Sequence, residues 1–122
     1  MATETFTSNA LSLTVIDEPS GIGIIWKGRS TARDPAEFII PILTKALDRA
    51  TALRCPLNLD FRNIEYFNSS TITPVVRLIE EAKRRGATLL IHYDKKLRWQ
   101  ELSFSALQVF HTGDARIRIV GV

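Results

Sequence analysis

The sequence predicts an α/β protein, a small mixed β-sheet of about five strands with helices packed mainly on one face. Two observations carry this. Strand-period and helix-period apolar patterns alternate along the chain in the order β-β-α-β-α-β-α-β. A chain of 122 residues that is 45% hydrophobic also has enough apolar content for one real core. A single domain over residues 11–122 is expected, preceded by a flexible segment over 1–10. That opening stretch, MATETFTSNA, is rich in Thr, Ser and Asn and reads as a loose tail or a short edge segment.

Leu11, Leu13 and Val15 alternate with Ser12 and Thr14, as in a half-buried strand. Glu18-Pro19-Ser20-Gly21 signals a turn, and Ile22 to Lys27, carrying Trp26, supplies the hairpin partner. Gly28 to Arg33 reads as a loop. Asp34-Pro35-Ala36-Glu37 then starts a helix with an acidic N-cap, proline at the first position and Glu where a capping box wants it. Phe38, Ile39, Ile42, Leu43, Ala46 and Leu47 face one way, with a kink expected at Pro41.

The most informative stretch runs from Leu57 to Gly86. Leu57, Leu59 and Phe61 alternate with Asn58 and Asp60 as a strand. Asn68-Ser69-Ser70-Thr71 follows, four short polar side chains of the kind that cap helices. Ile72, Val75, Val76, Ile79 and Ala82 then recur at helical spacing, while Arg77, Glu80, Glu81, Lys83, Arg84 and Arg85 occupy the other faces. Gly86 stops the helix, and Pro74 requires it to begin within about a turn, so the hydroxyl cluster lies at its N-terminus. Downstream, TLLIH over Thr88 to His92 reads as a strand covered on both faces. A third helix begins near Lys96 with Trp99, Leu102, Ala106 and Phe110 on one stripe, and Arg116 to Ile119 alternate as an edge strand. Trp26 and Trp99 sit within apolar patterns and are expected in the core.

The strand, the FNSST elbow and the amphipathic helix together resemble the STAS family, the fold of anti-sigma-factor antagonists. There an Asp-Ser-Ser/Thr-Gly elbow carries the serine that a partner kinase phosphorylates. On that pattern Asn68 takes the Asp position, Ser69 the phosphorylated serine, Ser70 the following hydroxyl and Thr71 the glycine. The run Tyr66-Phe67-Asn68-Ser69-Ser70 also resembles the SiaC-type branch of small biofilm and signalling regulators. In that branch the elbow begins with Asn and is switched by a kinase and phosphatase pair.

The resemblance implies a STAS-like domain acting as a phosphorylation-controlled partner switch and not an enzyme, with phosphorylation releasing the partner. Ser69 would be the acceptor, with Ser70 and Thr71 as alternatives. Tyr66, Phe67, Asn68, Ser69, Ser70, Thr71 and Ile72 would form the partner-binding surface. The partner would be a kinase or an anti-sigma-type factor, with a phosphatase besides. A STAS-like interaction or ligand-sensing module that is never phosphorylated is the alternative. From the residues alone, Asn68 to Thr71 read first as a helix cap, and Phe67 as either a core residue at a strand end or part of a docking surface.

Other function classes find less support. Ser69 or Ser70 with His92 and Asp94 contains the side-chain types of a hydrolytic triad, but no G-x-S-x-G elbow accompanies them. The two histidines lie far apart without metal-ligand spacing, and His111 beside Thr112-Gly113-Asp114 reads as a turn residue. Cys55 is alone, which excludes an intramolecular disulfide and a cysteine-cluster metal site. No metal or cofactor is expected. A net charge of +3 is modest, and Lys83, Arg84, Arg85, Lys95, Lys96 and Arg98 read as a solvated helix end and loop, so nucleic acid is not called for. No stretch approaches a membrane span and the N-terminus has no signal core, which points to the cytoplasm. An exposed terminal strand could pair across a homodimer.

Overall fold

The computed structural model describes residues 3–110, 113–114 and 116–122. Six strands form one sheet in the order of the sequence: β1 (Thr3–Ser8), β2 (Leu11–Glu18), β3 (Gly21–Ser30), β4 (Leu57–Phe67), β5 (Leu89–Tyr93) and β6 (Ile117–Gly121). The pairs β1–β2 and β2–β3 are antiparallel hairpins; β3–β4, β4–β5 and β5–β6 are parallel. The parallel connections carry helices, as crossovers require. Helix α1 (Ala36–Leu53) links β3 to β4 and α2 (Ser69–Arg85) links β4 to β5. A shorter α3 (Arg98–Ser105), with a 3₁₀ segment Ala106–Phe110, precedes β6. The α/β class, the mixed sheet and the order of elements agree with expectation.

The core explains the layering. Leu57, Leu59 and Phe61, then Leu89, Ile91 and Tyr93, then Ile117 and Ile119 are buried at alternate positions. The residues between them, Asn58, Asp60, Leu90, His92 and Arg118, are half-buried or exposed. One sheet face therefore meets the helices and the other lies open, so TLLIH is covered on one face and not on both. Burial of a side chain such as Phe61 or Ile91 contributes about 1.5–3 kcal/mol each.

Several local expectations are corrected. Of the two readings of the opening segment, the edge segment and not the loose, flexible tail is what forms: Thr3–Ser8 pairs residue for residue with β2 at the sheet's edge, so the sheet has six strands. Strand β3 extends through Gly28 and Arg29 to Ser30, where a loop was expected. Gly28 permits this with φ +90, since a Cβ there would stand 2.0 Å from the Ala10 carbonyl oxygen. Asp34 makes no capping bond, because α1 begins two residues later, after Pro35. The helix runs on through Pro41 without restarting. Proline gives no N–H to the Glu37 carbonyl, but both residues lie on the solvent side, where water can serve that oxygen. In α3 the inward stripe is Gln100, Phe104 and Leu107, whereas Leu102 and Ala106 face outward.

Candidate functional site

The elbow sits where β4 passes into α2, and two irregularities in β4 set its position. Between the pairs Ile25–Asp60 and Lys27–Asn63, β4 carries one residue more than β3, and Glu65 is a second extra residue between Ile64 and Tyr66. Each bulge bends the strand and shifts which residues face inward, so burial passes from Leu57, Leu59 and Phe61 to Ile64 and Phe67. The first bulge is held by Gln100, which is fully buried. Its Nε2 donates to the carbonyls of Phe61 (2.9 Å) and Ile64 (3.1 Å), and its Oε1 accepts from the Asp94 amide (2.8 Å). Sequence reasoning missed Gln100; a glutamine at an inward helical position was the available signal.

At the elbow, Asn68 is the extended N-cap of α2 (φ −82, ψ 170). Its side chain does not cap the helix. Asn68 Nδ2 donates to the Ala32 carbonyl (2.9 Å), and its Oδ1 accepts from Thr71 Oγ1 (2.9 Å). Thr71 Oγ1 also lies 2.7 Å from Ser30 Oγ. Since the single Thr71 hydroxyl proton goes to Asn68, Ser30 donates to Thr71. The Asn68 amide donates to the Ser30 carbonyl (3.0 Å). The elbow is thus clamped to residues 30–32 at the end of β3 by one continuous polar chain, buried at Ser30 and Thr71.

This clamp sorts the predicted site residues. Thr71 is 0% exposed and committed to the chain, so it presents nothing to a docking partner or to a modifying enzyme. Its backbone is helical, so the position where the STAS pattern has glycine requires no positive φ here. Phe67 is also buried, edge-on to Phe61, Phe104 and Trp99, and is a core residue and not a docking residue. Asn68 and Ile72 are half-buried, whereas Ser69, Ser70 and Tyr66 are exposed. Ser69 and Ser70 occupy the first helical positions, where backbone N–H groups carry partial positive charge and the first turn holds no acidic residue. Pro74 has no N–H to give the Ser70 carbonyl.

Beside the serines lies an aromatic step. Tyr66, 42% exposed, stands 6.2 Å from Trp99 between ring centroids, and the Arg29 guanidinium lies 5.6 Å from its ring centre. Trp99 is half-buried at this rim and not in the core, unlike Trp26, which is fully buried against Phe61. Leu102 is 62% exposed three residues beyond Trp99 on α3, and so neighbours it on the helix surface. The exposed surface around the elbow therefore combines two neutral hydroxyls with an aromatic and aliphatic rim of Tyr66, Trp99 and Leu102, on which the exposed Arg29 guanidinium rests. The strand-period and helix-period patterns contained Trp99 and Leu102 but assigned both to the core.

The hydrolytic alternative is not assembled. His92 lies on the open sheet face, lining a shallow groove with Ile25, Asn58, Asp60, Arg62 and Leu90. Asp94 Oδ1 accepts from the Lys96 amide, and no hydrogen bond joins His92 to Ser69, Ser70 or Asp94. The charged pair on that open face is Asp60 with Arg62, joined by Nε to Oδ1 (2.9 Å) and Nη2 to Oδ2 (2.8 Å). Partial burial pushes the Asp60 carboxyl up, but the Arg62 hydrogen bonds and charge, with His92, bring it below its ordinary value. Among the described residues no cluster of three or more His, Cys, Asp or Glu could hold a metal, and no helix is long and apolar enough to cross a membrane. His111 and Thr112 lie outside the described residues.

The fold as a whole is shared with solved structures. The chain is similar to one in the crystal structure of the diguanylate cyclase SiaD in complex with its activator SiaC from Pseudomonas aeruginosa. That match has a TM-score of 0.63 and 17% identity, over 96% of this chain and 99% of the other. It is similar also to SiaC of Pseudomonas aeruginosa, with a TM-score of 0.63 and 19% identity, over 100% of this chain and 98% of the other. At such identities the likeness is one of fold. No protein-family model and no curated protein matches the chain.

Proposed function

We propose that this chain is a regulatory protein-binding domain, without a catalytic step of its own, that works as a phosphorylation-controlled partner switch with Ser69 as the acceptor. The observation that carries the reading is the exposure of Ser69 and Ser70 at a helix N-terminus, with the aromatic rim of Tyr66 and Trp99 at the surface of the same chain, while Thr71 and Phe67 are locked inward. A phosphate on Ser69 meets backbone N–H groups and the positive end of α2, so the fold accepts it at a local gain of about 0.3–1 kcal/mol. A partner packed on neutral hydroxyls and on Tyr66, Trp99 and Leu102 meets instead an added charge of roughly −1.5 to −2. Desolvating that charge without an opposing cation weakens the complex, and a loss of about 3–4 kcal/mol lowers affinity by two to three orders of magnitude. The docking surface thus keeps Tyr66, Ser69 and Ser70 from the resemblance, with Asn68 and Ile72 at its margin, and gains Trp99 and Leu102.

The fold shared with SiaC, named as the activator of a diguanylate cyclase, supports a partner that is itself a signalling enzyme. A kinase or an anti-sigma-type factor fits the same switch logic, and reversal calls for a phosphatase. Mass spectrometry of the protein from its native host tests the reading. Phosphate on Ser69 within the segment 66–77 is expected. Phosphate on Ser70 moves the acceptor by one residue. A segment that stays unmodified across growth conditions leaves a static interaction module in place of the switch.

A further inference from the structure

The two edges of the sheet are built differently. The edge at β6 is five residues long, carries Arg118 and is preceded by Arg116, and contacts the 3₁₀ segment. Cationic side chains are a common protection of sheet edges against unplanned pairing. The edge at β1, one residue longer, carries no cation of its own, although Lys45 and Arg49 of α1 line the pockets beside it. Its register with β2 runs unbroken from Thr3–Ile16 to Ser8–Leu11, with no bulge, no proline and no lysine, and Glu4 is its only charge. Thr5 and Thr7 are already tied across the sheet to Thr14 (3.0 Å) and Ser12 (3.2 Å), which stiffens the strand. Being paired on one side only, β1 presents its outer backbone groups to solvent.

We propose that β1 is the interface for a second copy of this chain, joined antiparallel across a two-fold axis at Phe6 to make one continuous twelve-stranded sheet. The side chains select both the partner and the register. In a two-fold antiparallel pair, residues directly opposite must point to the same sheet face, so the axis passes either through Thr5 or through Phe6 for a centred overlap. An axis at Thr5 would set Glu4 against Phe6 of the other copy. An axis at Phe6 sets ring against ring, Thr5 against Thr7, and Glu4 against Ser8. Phe6 is only half-buried in the single chain, where it borders a shallow pocket with Val15, Ile42 and Ala46, rimmed by Glu4 and by Lys45 and Arg49 of α1, so pairing covers its remaining apolar surface. Along the paired strands themselves no like charges stand opposite one another. Strands β2 and β3 separate β1 from β4, so pairing leaves the Ser69 elbow open.

Cysteine cross-linking in a Cys55→Ser background tests the register directly. Opposite residues of an antiparallel pair have Cα atoms about 4.5–5.5 Å apart, within the span of a disulfide. Phe6→Cys is expected to give a covalent dimer on mild oxidation and Thr5→Cys to give none. Sedimentation equilibrium of the unmodified chain should show a dimer, Phe6→Lys should restore the monomer mass at the same concentration, and Ser8→Lys, placed opposite Glu4, should tighten the dimer several-fold. Circular dichroism on Phe6→Lys separates loss of pairing from loss of fold. A monomer at about 100 μM, a dimer that does not cross-link through Phe6→Cys, or cross-linking through Thr5→Cys instead would each overturn the proposal.

Discussion

The two ends of α2 are finished in opposite ways. At the C-terminus, Gly86 closes the helix in the left-handed region (φ +69), with its own N–H bonded to the Lys83 carbonyl and that of Ala87 to Ala82. Lys83, Arg84 and Arg85 complement the negative end of the dipole, and Glu81 pairs with both Arg84 and Arg85, the latter reaching Asp48 on α1 at 2.8 Å. At the N-terminus no acidic residue answers the positive end, and the N-cap side chain turns away to the β3 loop. One end of the helix is satisfied by its own charges. The other holds neutral hydroxyls in a field that favours an anion, and that asymmetry is what a phosphate would complete.

The largest expected effect breaks the symmetry of response at the N-terminal end. Ser69→Asp should weaken partner binding by about 10²–10³-fold relative to Ser69→Ala, while leaving thermal stability unchanged or slightly raised, because the dipole favours the carboxylate. Calorimetric titration against the captured partner and a thermal melt read the two halves. Equal affinities for the two variants would remove charge as the switching element.

The clamp comes next. Thr71→Val keeps the volume but strips the hydroxyl that joins Ser30 to Asn68, leaving buried polar groups unanswered. A loss of about 1–3 kcal/mol is expected, measured by denaturant unfolding. Gly86→Ala, at the other end, should cost about 1–2 kcal/mol, since an L-residue is strained at that φ and its Cβ would lie 2.9 Å from the Arg116 guanidinium. Partner affinity should be untouched by this second variant, which makes it a control for the first.

The smallest effect concerns pH. Hydrogen bonds from Arg84 and then Arg85 hold the Glu81 carboxyl down to about 2. The folded value is below the unfolded one, so this contribution is present above the unfolded value near pH ~4.3 and fades as pH falls towards 2. Glu81→Gln should slightly flatten the stability profile between about pH 5 and 2, and salt should shrink the difference, because the group is accessible to solvent.

What could be read in advance followed periodicity and local chemistry. The period-two runs at Leu57 to Phe61 and the helical stripe from Ile72 to Ala82 identified the central strand and helix, and Pro74 with the hydroxyl cluster located the helix start. The same local reading misassigned α3. Its pattern of Trp99, Leu102, Ala106 and Phe110 assumed one long helix, whereas the chain tightens into a 3₁₀ segment after Ser105 and the inward stripe rotates to Gln100, Phe104 and Leu107. The bulges in β4 were illegible for a related reason: which residue is extra depends on β3 across the ladder, not on neighbours in sequence.

The sequence by itself determined the α/β class, the order of elements and the presence of a polar elbow at a helix start, because those depend on side-chain period and capping chemistry within a few residues. Only the tertiary structure decided which elbow residues lie at the surface. The bond from Thr71 to Ser30 spans 41 positions and those from Gln100 to β4 span 39 and 36, and these long-range polar contacts turn Thr71 and Phe67 inward and leave Ser69, Ser70 and Tyr66 at the surface. A hydroxyl's exposure is set by what packs over it, and no local pattern of residues encodes that.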